Sequence, residues 1–266
     1  MAEVLVITSG KGGVGKTTAT ANIGVSLALL SKKVLVVDSD IGLRNLDLVL
    51  GVENQVQHDW VEFLEGKITL EKVVLEDKRF PGLHILPASQ WKGKESVSIK
   101  QMRRMMKILR PQYDFILIDS PAGIEMGFKN AAAVCDNAIV ITMPEISALR
   151  DADRIIGLLA GMKINKPRLI INRLRPDLVA QGDMMSCNDI LELLAIELIG
   201  IVPEDDRVVV ASNRGEPAAL DAGSKAGEAY RRIARRIAGE IVPIEEPIQE
   251  NGNVGFWEML SRFFRR

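Results

Sequence analysis

Residues 10 to 18 read GKGGVGKTT, directly after the apolar run EVLVIT and directly before TATANIGVSLALLS. No other stretch restricts the fold as tightly. The pattern GxxxxGK[ST], from Gly10 through Thr17, requires a strand that feeds a glycine loop, which in turn opens a helix. Gly12, Gly13 and Gly15, with Val14 among them, let backbone N–H groups close around phosphate oxygens, and the helix N-terminus adds a favourable dipole. In such a loop Lys16 reaches the β- and γ-phosphates, and the Thr17 hydroxyl, just ahead of Thr18, binds Mg2+. A second lysine, Lys11, stands at the start of the loop, and spacing alone gives it no role.

The rest of the chain repeats the strand-then-helix alternation. Short β-branched runs recur as KVLVVD from Lys33, LHIL from Leu83, DFILID from Asp114, NAIVIT from Asn137, PRLIIN from Pro167 and ELIGIV from Glu197. Each is nearly continuous in apolar residues, as strands covered on both faces are. Between them lie helical patterns such as SIKQMRRMMKILR, SALRDADRIIGLLAGM and SCNDILELLAIEL. This order predicts an α/β domain with a doubly wound, mainly parallel sheet flanked by helices, the P-loop NTPase architecture. Ligands bind such sheets at the carboxyl ends of the strands. That gathers Gly10 to Thr18, Asp38 to Asp40, Asp119 to Gly123, Asn172 with Arg173, and Pro203 to Asp206 at one end.

The carboxylates follow from this placement. Asp119 closes a buried apolar strand, where an unpaired charge is costly and a nearby Mg2+ relieves it. Asp38 and Asp40 close another strand; one can support the ion's shell and one can position the attacking water. This placement predicts Thr17 and Asp119 at the metal and Lys16 at the phosphates, with the ion's shell and the water divided between Asp38 and Asp40.

Composition excludes several other classes. The 266 residues are 47% hydrophobic with a formal net charge of -1, enough for a sizeable core and unlike a surface built throughout for nucleic acid. Cys135 and Cys187 lack CxxC spacing and read as reduced thiols, and His58 and His84 as structural residues. No leader and no apolar run of about 18 residues is seen, so a cytoplasmic protein is expected.

The chain end changes character. The ATPase-like domain is expected over residues 1–241, followed by a flexible linker over 242–253, where PIEEPIQENGN lacks helical periodicity. Residues 254–266, VGFWEMLSRFFRR, form an amphipathic helix when placed at 100° per residue. Phe256, Trp257, Met259, Leu260, Phe263 and Phe264 share one face, opposite Glu258, Ser261, Arg262, Arg265 and Arg266. Aromatics opposite arginines make an interfacial helix for anionic lipid. One such tail binds weakly and reversibly, and two on a dimer bind with avidity.

KGGVGKTT with its early lysine resembles the deviant Walker A of the ParA/MinD group of P-loop ATPases. VLVVDSDIGLRNLDLVLG, ILIDSPAGIE, AIVITMPEISALRDADRIIGLL, LIINRLRP and IGIVPEDDRVVVASNRGEP extend the likeness over residues 2 to 240. The resemblance implies ATP and Mg2+ as ligands, ATP hydrolysis to ADP and phosphate, and a homodimer formed on ATP binding, with Lys11 reaching the partner's phosphates in trans. It also implies adenine contacts from Asn172 and Arg173, a base pocket lined by Pro203 and Asp205, and a water-positioning role for Asp40. By the same resemblance the protein regulates division-site placement, cycles to the inner membrane, recruits the division inhibitor MinC, and is stimulated by MinE. The alternative within this group is a partitioning ATPase that binds DNA nonspecifically, through basic stretches such as QMRRMMKILR and YRRIARRIAGE. Both stretches carry apolar stripes and read better as packed helices with a solvated basic face, so DNA is not the expected partner. A metabolic P-loop kinase or synthetase would need an acceptor-binding insertion, and none is seen.

Overall fold

A computed structural model describes residues 1–93 and 96–245. The strands are β1 (Glu3–Thr8), β2 (Val34–Asp38), β3 (Leu75–Glu76), β4 (Leu83–Leu86), β5 (Phe115–Asp119), β6 (Asn137–Thr142), β7 (Arg168–Leu174) and β8 (Glu197–Pro203). They form one sheet in the order β3-β4-β2-β5-β1-β6-β7-β8. All neighbours run parallel except the two-residue edge strand β3, which pairs antiparallel with β4.

Apolar side chains leave both faces of this sheet, which is why the strands read as continuous runs. Val4, Val6, Leu35, Val37, Ile116 and Ile118 join one core. Their alternates Leu5, Ile7, Val34, Val36, Phe115 and Leu117 join the other. The first core is covered by α3 (Trp60–Leu64), α4 (Leu70–Val73), α5 (Ile99–Leu109), α6 (Met126–Ala132), α7 (Ile146–Gly161) and α9 (Cys187–Leu194). The second lies under α1 (Lys16–Leu29), α2 (Leu46–Leu50) and α11 (Lys225–Ile237). Two further helices, α8 (Pro176–Gln181) and α10 (Asp206–Asn213), follow β7 and β8.

Local sequence sets these elements. Ser98 and Gln101 form a capping box at the start of α5, and Met102, Met105, Met106 and Leu109 bury its inner face. Along α11, Ala226, Ala229, Tyr230, Ile233, Ala234 and Ile237 recur at three- and four-residue steps and pack inward. α1 is buried on most sides, so its polar Thr20, Asn22 and Ser26 are satisfied internally, Thr20 and Ser26 on carbonyls four residues back.

Two boundaries differ from expectation. The helical pattern after Ser186 stops at Leu194, because Ala195 adopts a left-handed conformation (φ 51°) and β8 begins two residues later. The expected linker begins on the body itself: Arg236 donates to the carbonyls of Val242 and Pro243, and Arg232 pairs with Glu245 at 2.8 Å. Residues 246–253 of that linker, and the whole expected amphipathic segment over 254–266 with its Phe256, Trp257, Met259, Leu260, Arg262, Phe263, Phe264 and Arg265, lie outside the described residues. Among the described residues no helix is long and apolar enough to cross a membrane.

Candidate nucleotide site

The glycine loop joins β1 to α1 and is braced from two sides. A Cβ on Gly10 would lie 2.3 Å from the Asp151 carbonyl oxygen, so α7 packs directly on the loop's first residue. Asn172, at the end of β7, donates to the Val14 carbonyl at 2.7 Å. Gly15 sits beneath that amide with φ 94°, and a Cβ there would meet the Asn172 nitrogen at 2.4 Å. By contrast, Gly12 and Gly13 face open space. This open concavity, lined by backbone N–H groups at a helix N-terminus, is a cradle for phosphate oxygens.

Beside the cradle, β2 and β5 place Asp38 directly opposite Asp119. Both are buried, 1% exposed, and Lys16 is buried next to them. Burial pushes both carboxyls well above the usual carboxylate range. The Asp119 charge adds to this for Asp38. For Asp119, the Thr17 hydroxyl and Lys16 pull the other way, and Asp40 pushes it up further. Such an acidic cluster is costly by itself and is relieved by a cation. Among the described residues no three His, Cys, Asp or Glu side chains are grouped to hold an ion by themselves. An ion here would take much of its shell from phosphate and water, which suits Mg2+. Thr17 and Asp119 are the side chains placed to hold it, and when bound it neutralises charge on the phosphates.

Asp38 has a task that the motif did not reveal. One of its oxygens accepts from the Asp40 amide at 2.9 Å, the other from Asn45 and Leu46, each at 3.1 Å. It thereby staples the loop from Asp40 to Leu46, and this occupies oxygens expected to serve the metal shell. Asp40 opens that loop, near enough to Asp119 to raise its pKa. Gly123, in the turn after β5, donates to the Ser9 carbonyl at 3.1 Å. The turn after β5 is thereby tied directly to the residue that precedes the phosphate loop.

A slot continues from the loop between β7 and β8. Gly15, Thr18, Asn172, Arg173, Pro203 and Asp205 line it, with Tyr230 from α11. The residues expected to hold adenine are thus brought together. Two carry structural duties as well. Asn172 ties down the loop, and Asp205 accepts from Arg207, Ser224 and Ala226, joining the starts of α10 and α11. Arg173 sits at φ 56°, a left-handed strain that a non-glycine residue sustains only when its surroundings hold it.

Lys11 lies apart from the rest. Its Nζ is 3.0 Å from Glu145 and 3.2 Å from Ser147, at the start of α7, and both side chains of the ion pair are well exposed. Sequence reasoning missed Glu145, Tyr230 and the loop-tying role of Asn172, since each rests on contacts between distant segments with no local pattern.

Comparison with known proteins agrees with this geometry. The family model of the CobQ/CobB/MinD/ParA nucleotide binding domain matches residues 5–218. The septum site-determining protein MinD of Bacillus subtilis is 50% identical over 266 residues, spanning 99% of this chain and 98% of its own. Among solved structures, the MinC:MinD cell division protein complex of Aquifex aeolicus superposes with TM-score 0.87 at 46% identity, over 92% of this chain and 99% of that one. The septum site-determining protein MinD of Pyrococcus horikoshii, complexed with Mg-ADP, gives TM-score 0.80 at 32% identity, over 89% and 96%.

Proposed function

The chain belongs to the MinD branch of the CobQ/CobB/MinD/ParA nucleotide-binding family, and from that premise we propose that it is an ATPase whose nucleotide state controls membrane residence and division-site placement. ATP and Mg2+ occupy the glycine cradle, with Lys16, Thr17 and Asp119 at the phosphates and the β7–β8 slot around adenine. Asp40 positions the attacking water. The protein recruits MinC, and MinE accelerates its hydrolysis. In this cycle the chain moves between cytoplasm and inner membrane.

The observation that carries the reading is the division of labour between two lysines. Lys16 is buried in its own phosphate site, whereas Lys11 rests outside it on an exposed pair. A second cation held beside the cradle suits delivery to a partner's nucleotide across a dimer. Exposed Leu43, Leu48 and Met126 on the elements after β2 and β5, at the same end, favour docking of a second copy. In the ATP dimer two tails meet the lipid together through Phe256, Trp257, Met259, Leu260, Phe263 and Phe264, aided by Arg262 and Arg265, and hydrolysis returns them to single, weak contacts.

Co-sedimentation with anionic vesicles tests this. The full chain is expected to sediment with ATP and not with ADP, and a chain ending at Pro243 in neither state. Sedimentation of the shortened chain, or equal sedimentation with both nucleotides, would overturn the reading.

A further inference from the structure

The hydroxyl of Tyr230 on α11 is buried, polar and unmatched. The residue is 1% exposed. Burial holds its phenol well above the usual tyrosine range, so the hydroxyl stays protonated and can donate. A buried hydroxyl normally finds a partner. Among the described residues this one makes no hydrogen bond. Nor is its oxygen sealed within the core. Tyr230 lines the slot between β7 and β8, and the charged groups that act on its oxygen, Arg173 and Glu204, line the same slot. The hydroxyl therefore faces the slot.

The first half of α11 is fixed on both sides of this residue. Ser224 and Ala226, at the helix start, donate to one carboxylate oxygen of Asp205 at 2.7 and 3.1 Å. A side chain at Gly227 would run into the Ala218 carbonyl, so the helix lies hard against the turn at Ala218–Leu220. One residue past Tyr230, Arg231 donates to the Ala219 carbonyl at 2.6 Å. These contacts set where the hydroxyl lies, which is the preorganisation a specific site needs.

The other polar groups of the slot have duties of their own. Asn172 gives its amide nitrogen to the Val14 carbonyl, and Asp205 gives its oxygens to Arg207, Ser224 and Ala226. Arg173 and Glu204 are about half exposed and face each other at 3.9 Å. Val202, Pro203 and Val208 add apolar surface to the lining. A buried donor set among apolar walls matches a flat heteroaromatic ring that carries acceptor nitrogens. A ribose would turn its hydroxyls toward those walls. A phosphate is better served by the backbone N–H groups of the glycine cradle.

We propose that the Tyr230 hydroxyl donates a hydrogen bond to a ring nitrogen of the adenine base, which makes Tyr230 a binding residue for the base end of the nucleotide. The inference rests on the nucleotide reading above. A hydrogen bond between neutral groups changes affinity by about three- to tenfold. The bound base also relieves the hydroxyl of its unmatched state, so the bond is made only in the liganded protein and adds nothing to the stability of the free one.

The test is Tyr230→Phe in the full chain, which removes the hydroxyl and keeps the ring. Calorimetric titrations with Mg2+ use ADP, 2′-deoxy-ADP and pyrophosphate, and urea unfolding is followed without ligand. ADP and 2′-deoxy-ADP are expected to bind about three- to tenfold more weakly than to wild type, and pyrophosphate within about twofold. The urea midpoint of the free protein is expected not to fall, because the lost group had no partner there. Wild-type ADP affinity in the variant overturns the proposal. Equal weakening of ADP and pyrophosphate with a lowered midpoint also overturns it, and gives the hydroxyl a packing role. If the substitution weakens ADP but not 2′-deoxy-ADP, the hydroxyl serves the ribose and the base assignment is overturned. If the wild-type chain binds neither ADP nor pyrophosphate, the nucleotide reading itself fails, and this proposal fails with it.

Discussion

At the scale of single residues, cost separates the two lysines of the loop. Lys16 is enclosed beside Asp119 and cannot leave without exposing buried charge. The Lys11–Glu145 pair is exposed, and such pairs contribute about 0–1 kcal/mol, so Lys11 can swing out at small expense. Lys11→Ala is therefore expected to keep ADP affinity within about twofold, while hydrolysis falls by two orders of magnitude or more, on the order seen when one transition-state donor is removed. Steady-state phosphate release alongside ADP titration checks this. Asn172→Ala would leave the Val14 carbonyl without its donor and is expected to cost about 1–3 kcal/mol in urea unfolding and to weaken nucleotide binding with it. The glycine loop between β1 and α1 was legible in the sequence because eight consecutive positions, Gly10 to Thr17, carry the whole pattern. The second roles of Asn172 and Asp38 were not. One depends on a bond across 158 positions, and the other on amides of a loop whose path no motif records.

At the scale of elements, the strands were legible because burial on both faces leaves a continuous apolar run, and seven of the eight strands among the described residues match such runs. The eighth, β3, is two residues on the edge and too short to show any period. The end of α9 was hidden because the left-handed turn falls on an alanine, where glycine is the usual signal. Asp205 is a hinge pin between elements: its carboxylate caps α10 and receives Ser224 and Ala226 from the start of α11. Burial opposes its charge, but the Ser224 hydroxyl and the Ala226 and Arg207 amides hold its carboxyl below the usual carboxylate range. The folded pKa is thus depressed. Its stabilising contribution is complete above the unfolded value, about 3.9, and is lost as pH falls through the lower folded value. Asp205→Asn is expected to cost about 1–3 kcal/mol at pH 7, and the gap to wild type should narrow in unfolding measurements below about pH 4.

At the scale of the whole molecule, one end of the sheet handles nucleotide, and the chain departs from the other. α11 spans the two, with Tyr230 at the slot between β7 and β8 and Arg236 on residues 242 and 243. A parallel sheet imposes this polarity, since every described strand except the antiparallel edge strand β3 presents its carboxyl end to the nucleotide side. On the proposed reading a single tail holds the membrane weakly, and the nucleotide acts on the number of tails presented together. The account therefore stands on self-association driven by ATP. The most direct measurement is the mass of the protein in solution by light scattering, with Mg2+ and either a non-hydrolysable ATP analogue or ADP. The account predicts a mass near twice the 29.3 kDa of one chain with the analogue, and near one chain with ADP. The same mass in both states would contradict it.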